Sequence, residues 1–315
     1  MGRLYIGVTD NDWFHFLAAR RPDEVNFWLP GDQRRFRTLE TGELFLFKLH
    51  SPDDYIVGGG LFVSHTLLPL SMAWEVFGTS NGVPDLATLS SKIRHYRASR
   101  GAIGRDPTIG CIVLAEPFFL EPAAWLPMPA GWHRNIVQGK SYEIDSPEGR
   151  RLLDSVLPLM GHRIGSPAVG EVAPRVIAEE GPRYGPETPI RPRLGQGGFR
   201  IVVTEAYERR CAVTGERVLP VLQASHIKPF SFEGPNTVDN GILLRSDLHA
   251  LFDRGYLTIT EDHHVEVSRQ IEQEFHNGKA YRRLHGAELS VLPQREVERP
   301  SAEFIRWHNE HCYRG

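Results

Sequence analysis

The sequence predicts an α+β protein of two domains joined by a Pro/Gly-rich connection, and three observations lead to that class. Apolar, β-type runs separated by turn signals crowd the first half: LFLFKLH at 44–50, YIVGGGLFVSHTLL at 55–68 and IGCIVLAEPFFL at 109–120. Residues 161–195 (GHRIGSPAVGEVAPRVIAEEGPRYGPETPIRPRLG) are rich in Pro and Gly and hold no sustained period. The stretch from Cys211 to Thr260 then reads strand, loop, strand, helix, with polar residues at the junctions. The expected division is a first domain over 1–160, a linker over 161–195 and a second domain over 196–315.

In the first domain, Leu4 to Val8 reads as a strand, and Asp10 or Asn11 can cap a short helix through WFHFLAA. The turn signal SPDD between the runs at 44–50 and 55–68 predicts a hairpin. Leu70 to Gly78 and Leu89 to Ser99 read as helices, the second followed by Arg100 and rich in positive charge. The whole is a small α+β unit with a curved sheet. Five tryptophans fall here: Trp13, Trp28, Trp74, Trp125 and Trp132. Aromatic faces and polar edge groups are what a pocket for an extruded base uses. Asp10, Asn11, Trp13 and Trp28 combine the two kinds and are the pocket candidates. The alternative is that these tryptophans are core residues.

The linker allows one short helix at 175–180. RLGQGGFR then leads into an amphipathic helix, Phe199 to Arg210. Val218 to Ala224 is β-branched and apolar and delivers His226 at its end. Pro229, Gly234 and Pro235 break the chain into a loop, and Ile242 to Leu244 is a second short strand. Ser246 reads as the N-cap of the helix LHALFD, with Asp247 in its first turn. His249 and Asp253 are spaced i, i+4 and share one helix face, so an imidazole and a carboxylate can meet a single cation. A single histidine among the 14 carries little weight; the constellation His226, Asn240, His249 in this context carries more. After Thr260, VEVS, a helix ending near Asn277 and a tail helix over 301–311 complete the domain. His263, His264, His276, His308 and His311 show no matched ligand spacing.

On SHIKP, DNGILL and DLHALFD, together with RLGQGGFR, the stretch from Arg193 to Ile259 resembles the HNH endonuclease family. The resemblance implies a ββα-metal module in which His226 is the general base. Asn240 would pin the loop that carries it, and His249 and Asp253 would hold one divalent ion. Mg²⁺ or Mn²⁺ suits those ligands, and imidazole also tolerates Co²⁺ and Ni²⁺. Many family members place Asp or His before the base where this chain has Ser225. Many also begin the motif with a zinc-binding cysteine pair; here only Cys211 and Thr214 stand, so no structural zinc is expected. The first domain, on its opening strand, GELFLFKLHSPDDYIVGGGLFV and the later strand leading to a Trp-containing loop, is similar to PUA-like domains. The similarity is to the EVE branch, related to YTH and SRA readers of modified bases.

Composition bounds the partners. The chain is 41% hydrophobic and 24% charged, ordinary for a protein with packed cores. No apolar run is long enough to span a bilayer, no secretory pattern opens the chain and three scattered cysteines make no disulfide framework, so it reads as cytoplasmic, with no membrane partner. A net charge of −3 leaves phosphate contacts to local patches. Arg191, Arg193, Lys228 and Arg245 flank the motif and are the candidates.

The expected activity is a modification-dependent restriction endonuclease. It would flip 5-methylcytosine or 5-hydroxymethylcytosine out of double-stranded DNA and hydrolyse phosphodiesters nearby. A double-strand break would need a homodimer or two encounters. Two alternatives stand beside it: an HNH nuclease that recognises unmodified DNA or RNA, and a non-catalytic nucleic-acid-binding protein with a degenerate HNH motif.

Overall fold

The computed structural model describes residues 2–31, 35–98, 104–133, 135–163 and 192–315. The expected helix over 175–180, Arg191 and Arg100 lie outside them. The chain divides into two compact units, Met1–Arg193 and Leu194–Gly315.

The first unit is a seven-stranded sheet with helices. In chain order it runs β1 (Arg3–Thr9), α1 (Asn11–Arg20), β2 (Glu24–Leu29), β3 (Leu44–Leu49), β4 (Tyr55–Pro69), α2 (Leu70–Phe77), α3 (Leu86–Arg97), β5 (Thr108–Phe119), β6 (Leu126–Pro127), β7 (Gly139–Glu143) and α4 (Pro147–Val156). The sheet order is β2-β5-β4-β3-β1-β7, with β6 on β4. Among the described strands of this sheet, β1–β3 pairs in parallel and the other pairings are antiparallel. The expected hairpin of 44–50 with 55–68 is β3–β4. β4 is long, and register shifts at Gly59/Leu61 and Phe62/Ser64 against β5 bend it, which curves the sheet. β3 is buried at every position, as expected of a central strand covered on both faces. Leu4, Ile6, Leu46, Ile56 and Val156 centre one core cluster.

The helices begin where capping chemistry says they should. Asp10 accepts the Trp13 N–H at 3.1 Å at the start of α1, and Asp85 accepts the Thr88 N–H at 2.7 Å at the start of α3.

The second unit carries α5 (Gln196–Ala206), β8 (Leu222–His226), β9 (Gly241–Arg245), α6 (Ser246–Asp253), β10 (Leu257–Ile259), β11 (Val265–Val267), α7 (Gln270–Phe275), α8 (Lys279–Arg282) and α9 (Ala302–His311). β8 and β9 form an antiparallel hairpin from Leu222↔Arg245 to His226↔Gly241. A core that includes Phe199, Val203, Tyr207, Ile242, Leu244, Leu248, Phe252 and Ile305 locks α5, α6 and α9 onto it.

Two boundaries differ from the sequence expectation. Leu219–Val221 is a 3-10 turn with Pro220 near its start, so the strand begins at Leu222 rather than Val218; proline supplies no ladder N–H. Ser246 is the first helical residue of α6 and not its cap. Arg245 still pairs with Leu222 in the hairpin, so the helix springs directly from the strand end, with no side-chain cap bond.

Candidate nuclease site

His226 closes β8, and its ring lies flat on Phe199 of α5, with centroids 3.8 Å apart and planes 10° apart. Its Nε2 is 2.8 Å from the Asn236 Oδ1. The Asn236 amide is oriented by its other end, where Nδ2 donates to the Leu194 carbonyl at 2.7 Å. With the amide oxygen turned to the imidazole, the ring carries its proton on Nε2, and the neutral ring keeps its lone pair on Nδ1. Burial is the largest influence on His226 and holds its pKa below the ordinary histidine range. The Asn236 bond and the Asp253 charge oppose that shift, and His249 adds to it. The residue is therefore neutral, as a base must be, at near-neutral pH.

Asn240 is completely buried and ties the intervening loop together. Its Oδ1 accepts the Lys228 N–H at 2.8 Å, and its Nδ2 donates to the carbonyls of Lys228 at 3.0 Å and Pro235 at 2.9 Å. The loop closes so tightly that a Cβ on Gly234 would stand 1.8 Å from the Lys228 carbonyl oxygen. A Cβ on Gly241 would meet Val203 of α5 at 2.4 Å, so the Asn-Gly pair in DNGILL is dictated by packing on both sides.

On α6, His249 Nε2 is 3.2 Å from the Asp253 Oδ2. His249 Nδ1 is 2.6 Å from the Gln223 Oε1, and the Ser225 hydroxyl donates to the Asp253 Oδ1 at 3.2 Å. If the Nδ1 proton goes to Gln223, an imidazole lone pair and a carboxylate oxygen converge on one point. A cation between them satisfies both, so the pair fits one divalent ion. Among the described residues no cluster of three or more His, Cys, Asp or Glu could hold an ion. Waters and phosphate oxygens would complete the shell.

Ser225, His226, His249 and Asp253 line one cleft of about 380 Å³, together with Gln196, Phe199, Arg200, Phe230, His308 and Cys312. Gln196 and Arg200 stand one helical turn apart on α5 and bring an amide and a guanidinium to the cleft. The i, i+4 spacing inside RLGQGGFR was the available signal for them. Asn236 and Gln223 carried no such signal, since their roles depend on what packs against them.

The remaining candidates are placed as follows. Arg245 makes a two-pronged pair with Asp247, at 2.7 and 2.8 Å, and the Tyr281 hydroxyl donates to the same carboxylate. Lys228 holds its Nζ 6.0 Å from the Trp307 ring. Arg193 ends the first unit, and its N–H donates to Glu116. Cys211 is buried, and its Sγ accepts the Arg245 N–H.

In the first unit, Asp10 joins Lys92 at 3.0 Å and accepts the Tyr96 hydroxyl. Asn11 donates to Asp53 and accepts the His50 N–H. Trp13 is 2% exposed, set against Phe27 and Phe47, with its indole N–H on the Asn26 carbonyl. Trp28 is 8% exposed, beside Tyr96, with its N–H on the Asn81 carbonyl. Asp10 and Asn11 thus mark the β1–α1 junction, and the two tryptophans lie behind it in the core. No helix among the described residues is long and apolar enough to cross a membrane.

Residues 211–260 match the family model described as HNH endonuclease, so the β8–β9–α6 region is an HNH endonuclease domain. Among solved structures the chain is similar to ASCH from Zymomonas mobilis, at 9% identity over 48% of this chain and 94% of that one, with a TM-score of 0.31. It is also similar to the modification dependent TagI restriction endonuclease, at 16% identity over 93% of this chain and 76% of that one, with a TM-score of 0.27. Among curated proteins none matches.

Proposed function

We propose that this protein is a modification-dependent DNA endonuclease, with its HNH site cutting and its first unit reading a modified cytosine. The observation that carries the cutting half is the convergence of His226, buried on Phe199, with the His249–Asp253 pair in one cleft. In this reading a water placed in the cleft loses its proton to Nδ1 of neutral His226 as it attacks phosphorus. Asn236 keeps the ring in that tautomer, and Asn240 holds the loop at a fixed position. A divalent ion on His249 and Asp253, when bound, supplies charge relief for the phosphate and the leaving oxygen. Arg200, which lines the cleft, and Lys228, on the loop beside it, are the residues assigned to phosphate oxygens.

The reading half rests on the PUA-like sequence pattern of the first unit. Recognition is assigned to the β1–α1 junction around Asp10 and Asn11, with Trp13 and Trp28 supporting it from within. 5-Methylcytosine or 5-hydroxymethylcytosine is the proposed base, admitted by flipping.

The test is cleavage of matched plasmids carrying cytosine, 5-methylcytosine or 5-hydroxymethylcytosine, in Mg²⁺ or Mn²⁺, by the wild type and by His226→Ala. Cutting confined to a modified plasmid and lost in the variant, with DNA binding kept, supports both halves. Equal cutting of all three removes the reader. No cutting of any, with DNA still bound, turns the second unit into a binding module.

A further inference from the structure

The loop that Asn240 pins also carries two phenylalanines turned outward. Phe230 and Phe232 occupy a 3-10 turn over 230–232 and are 64% and 58% exposed. Phe230 lines the cleft with His226, His249 and Asp253. Phe232 lies 5.1 Å from Trp307 of α9, and Trp307 stacks on His311 with planes 6° apart. The Lys228 ammonium is 6.0 Å from the Trp307 ring. The loop thus carries one exposed ring at the cleft, Phe230, and a second, Phe232, that joins Trp307, His311 and the Lys228 ammonium in a cluster on the same loop and α9.

We propose that this surface is a stacking platform for unpaired bases of the strand that enters the cleft. The proposal rests on the nuclease reading of the same site. Three features favour nucleobases over other occupants. The exposed rings of Phe230 and Phe232 offer π faces, which every base can stack on regardless of sequence. Lys228 sets a positive charge over the Trp307 ring beside Phe232, suited to the phosphate of a base stacked on the neighbouring ring. The chain as a whole has a net charge of −3, so it lacks the strong positive field by which many nucleic-acid-binding proteins hold a strand through phosphates alone, and stacking supplies contact that does not depend on it. On this basis the nuclease engages DNA that is locally opened beside the scissile phosphate.

The test uses the full chain with chelator present, so that binding is read apart from cutting. Anisotropy of a labelled oligothymidylate is compared with that of an abasic strand of equal length, for the wild type, Phe230→Ala/Phe232→Ala and Phe230→Leu/Phe232→Leu. The wild type should prefer the base-bearing strand by at least about fivefold. Both double variants should lose that preference while keeping the abasic affinity, since leucine is apolar but has no π face. Equal binding of the two strands by the wild type overturns the proposal, as does a preference that survives in both variants. Light scattering adds a further arm: a wild-type dimer that becomes monomeric in the variants, with the strand preference intact, assigns the surface to a second copy of the chain instead. Failure of the plasmid assay would sink the nuclease reading without changing this ratio, so the two outcomes are separable.

Discussion

The imidazole of His226 lies nearly parallel to the phenyl ring of Phe199, 3.8 Å between centroids, on a helix that precedes the whole HNH motif in sequence. That contact removes water from one face of the base. It contributes to the burial that lowers the His226 pKa, because a charged imidazolium cannot be solvated through a phenyl ring. The imidazole proposed as general base is thus packed against a residue that precedes the 211–260 match to the HNH family model.

Removal of the stacking ring should move the pH profile. With His226 as the proposed base, acting while neutral and with its pKa lowered, the acid limb of kcat/KM should lie below the ordinary histidine value. Phe199→Ala admits water and should shift that limb to higher pH; Phe199→Leu, which keeps the site dry, should shift it less. Nicking rates of plasmid between pH 5 and 8 decide this, and an unmoved limb in Phe199→Ala would show that the stack does not set the base.

Asn236 should matter through orientation. Asn236→Ala leaves the ring free to rotate and to exchange tautomers, and the expected loss is roughly 10–100-fold in kcat with KM little changed. Asn236→Asp places a carboxylate on the imidazole and should raise the acid limb instead. A KM effect alone in both variants would point to a substrate contact rather than a positioning role.

For the ion, Asp253→Ala should raise the Mn²⁺ concentration for half-maximal cleavage at least about tenfold. Gln223→Ala, which frees the far side of His249, should raise it less. Calorimetric titration of Mn²⁺ into the chain without DNA gives an independent reading. Identical Mn²⁺ affinity in wild type and Asp253→Ala would remove Asp253 from the ion site.

Acid should destabilise the second unit through His308. This residue is 2% exposed, stacked on Phe252, with its Nε2–H on the Phe252 carbonyl and Nδ1 at 2.8 Å from the Thr258 hydroxyl oxygen. Burial lowers its pKa to about 4. The unfolded chain takes up a proton below about 6.5, and the folded chain does not until about 4. Stability is therefore lost as pH falls through that window, by an amount of order 3 kcal/mol. Denaturant melts at pH 7, 5.5 and 4 should show this slope, and His308→Gln should flatten it.

Asn240→Ala should cost about 2–4 kcal/mol, since it strands a buried N–H and two carbonyls of the loop. Loss of cleavage should accompany loss of stability, because the same bonds position His226. A variant that stays as stable as the wild type in denaturant melts would contradict the hydrogen-bond geometry.

Much of this protein was legible in the chain alone. Apolar, β-type runs bounded by turn signals marked β3, β4 and β5, Asp10 capped α1 where an Asp before an apolar helix should, and the i, i+4 spacing brought His249 and Asp253 within 3.2 Å. These features depend on neighbours in sequence, and local steric and hydrogen-bonding rules suffice to place them. The tertiary structure decided the rest. Trp13 reads the same in a sequence whether it faces solvent or is covered by Phe27 and Phe47. Arg245 reads as a phosphate ligand until Asp247 and Tyr281 are seen to occupy its surroundings. The partners that govern the chemistry, Phe199 and Asn236 for His226 and Gln223 for His249, come from separate elements that meet only when the core closes. Desolvation and hydrogen-bond orientation are properties of that closure, so the motif alone named the candidate groups and the packing around them set their protonation and aim.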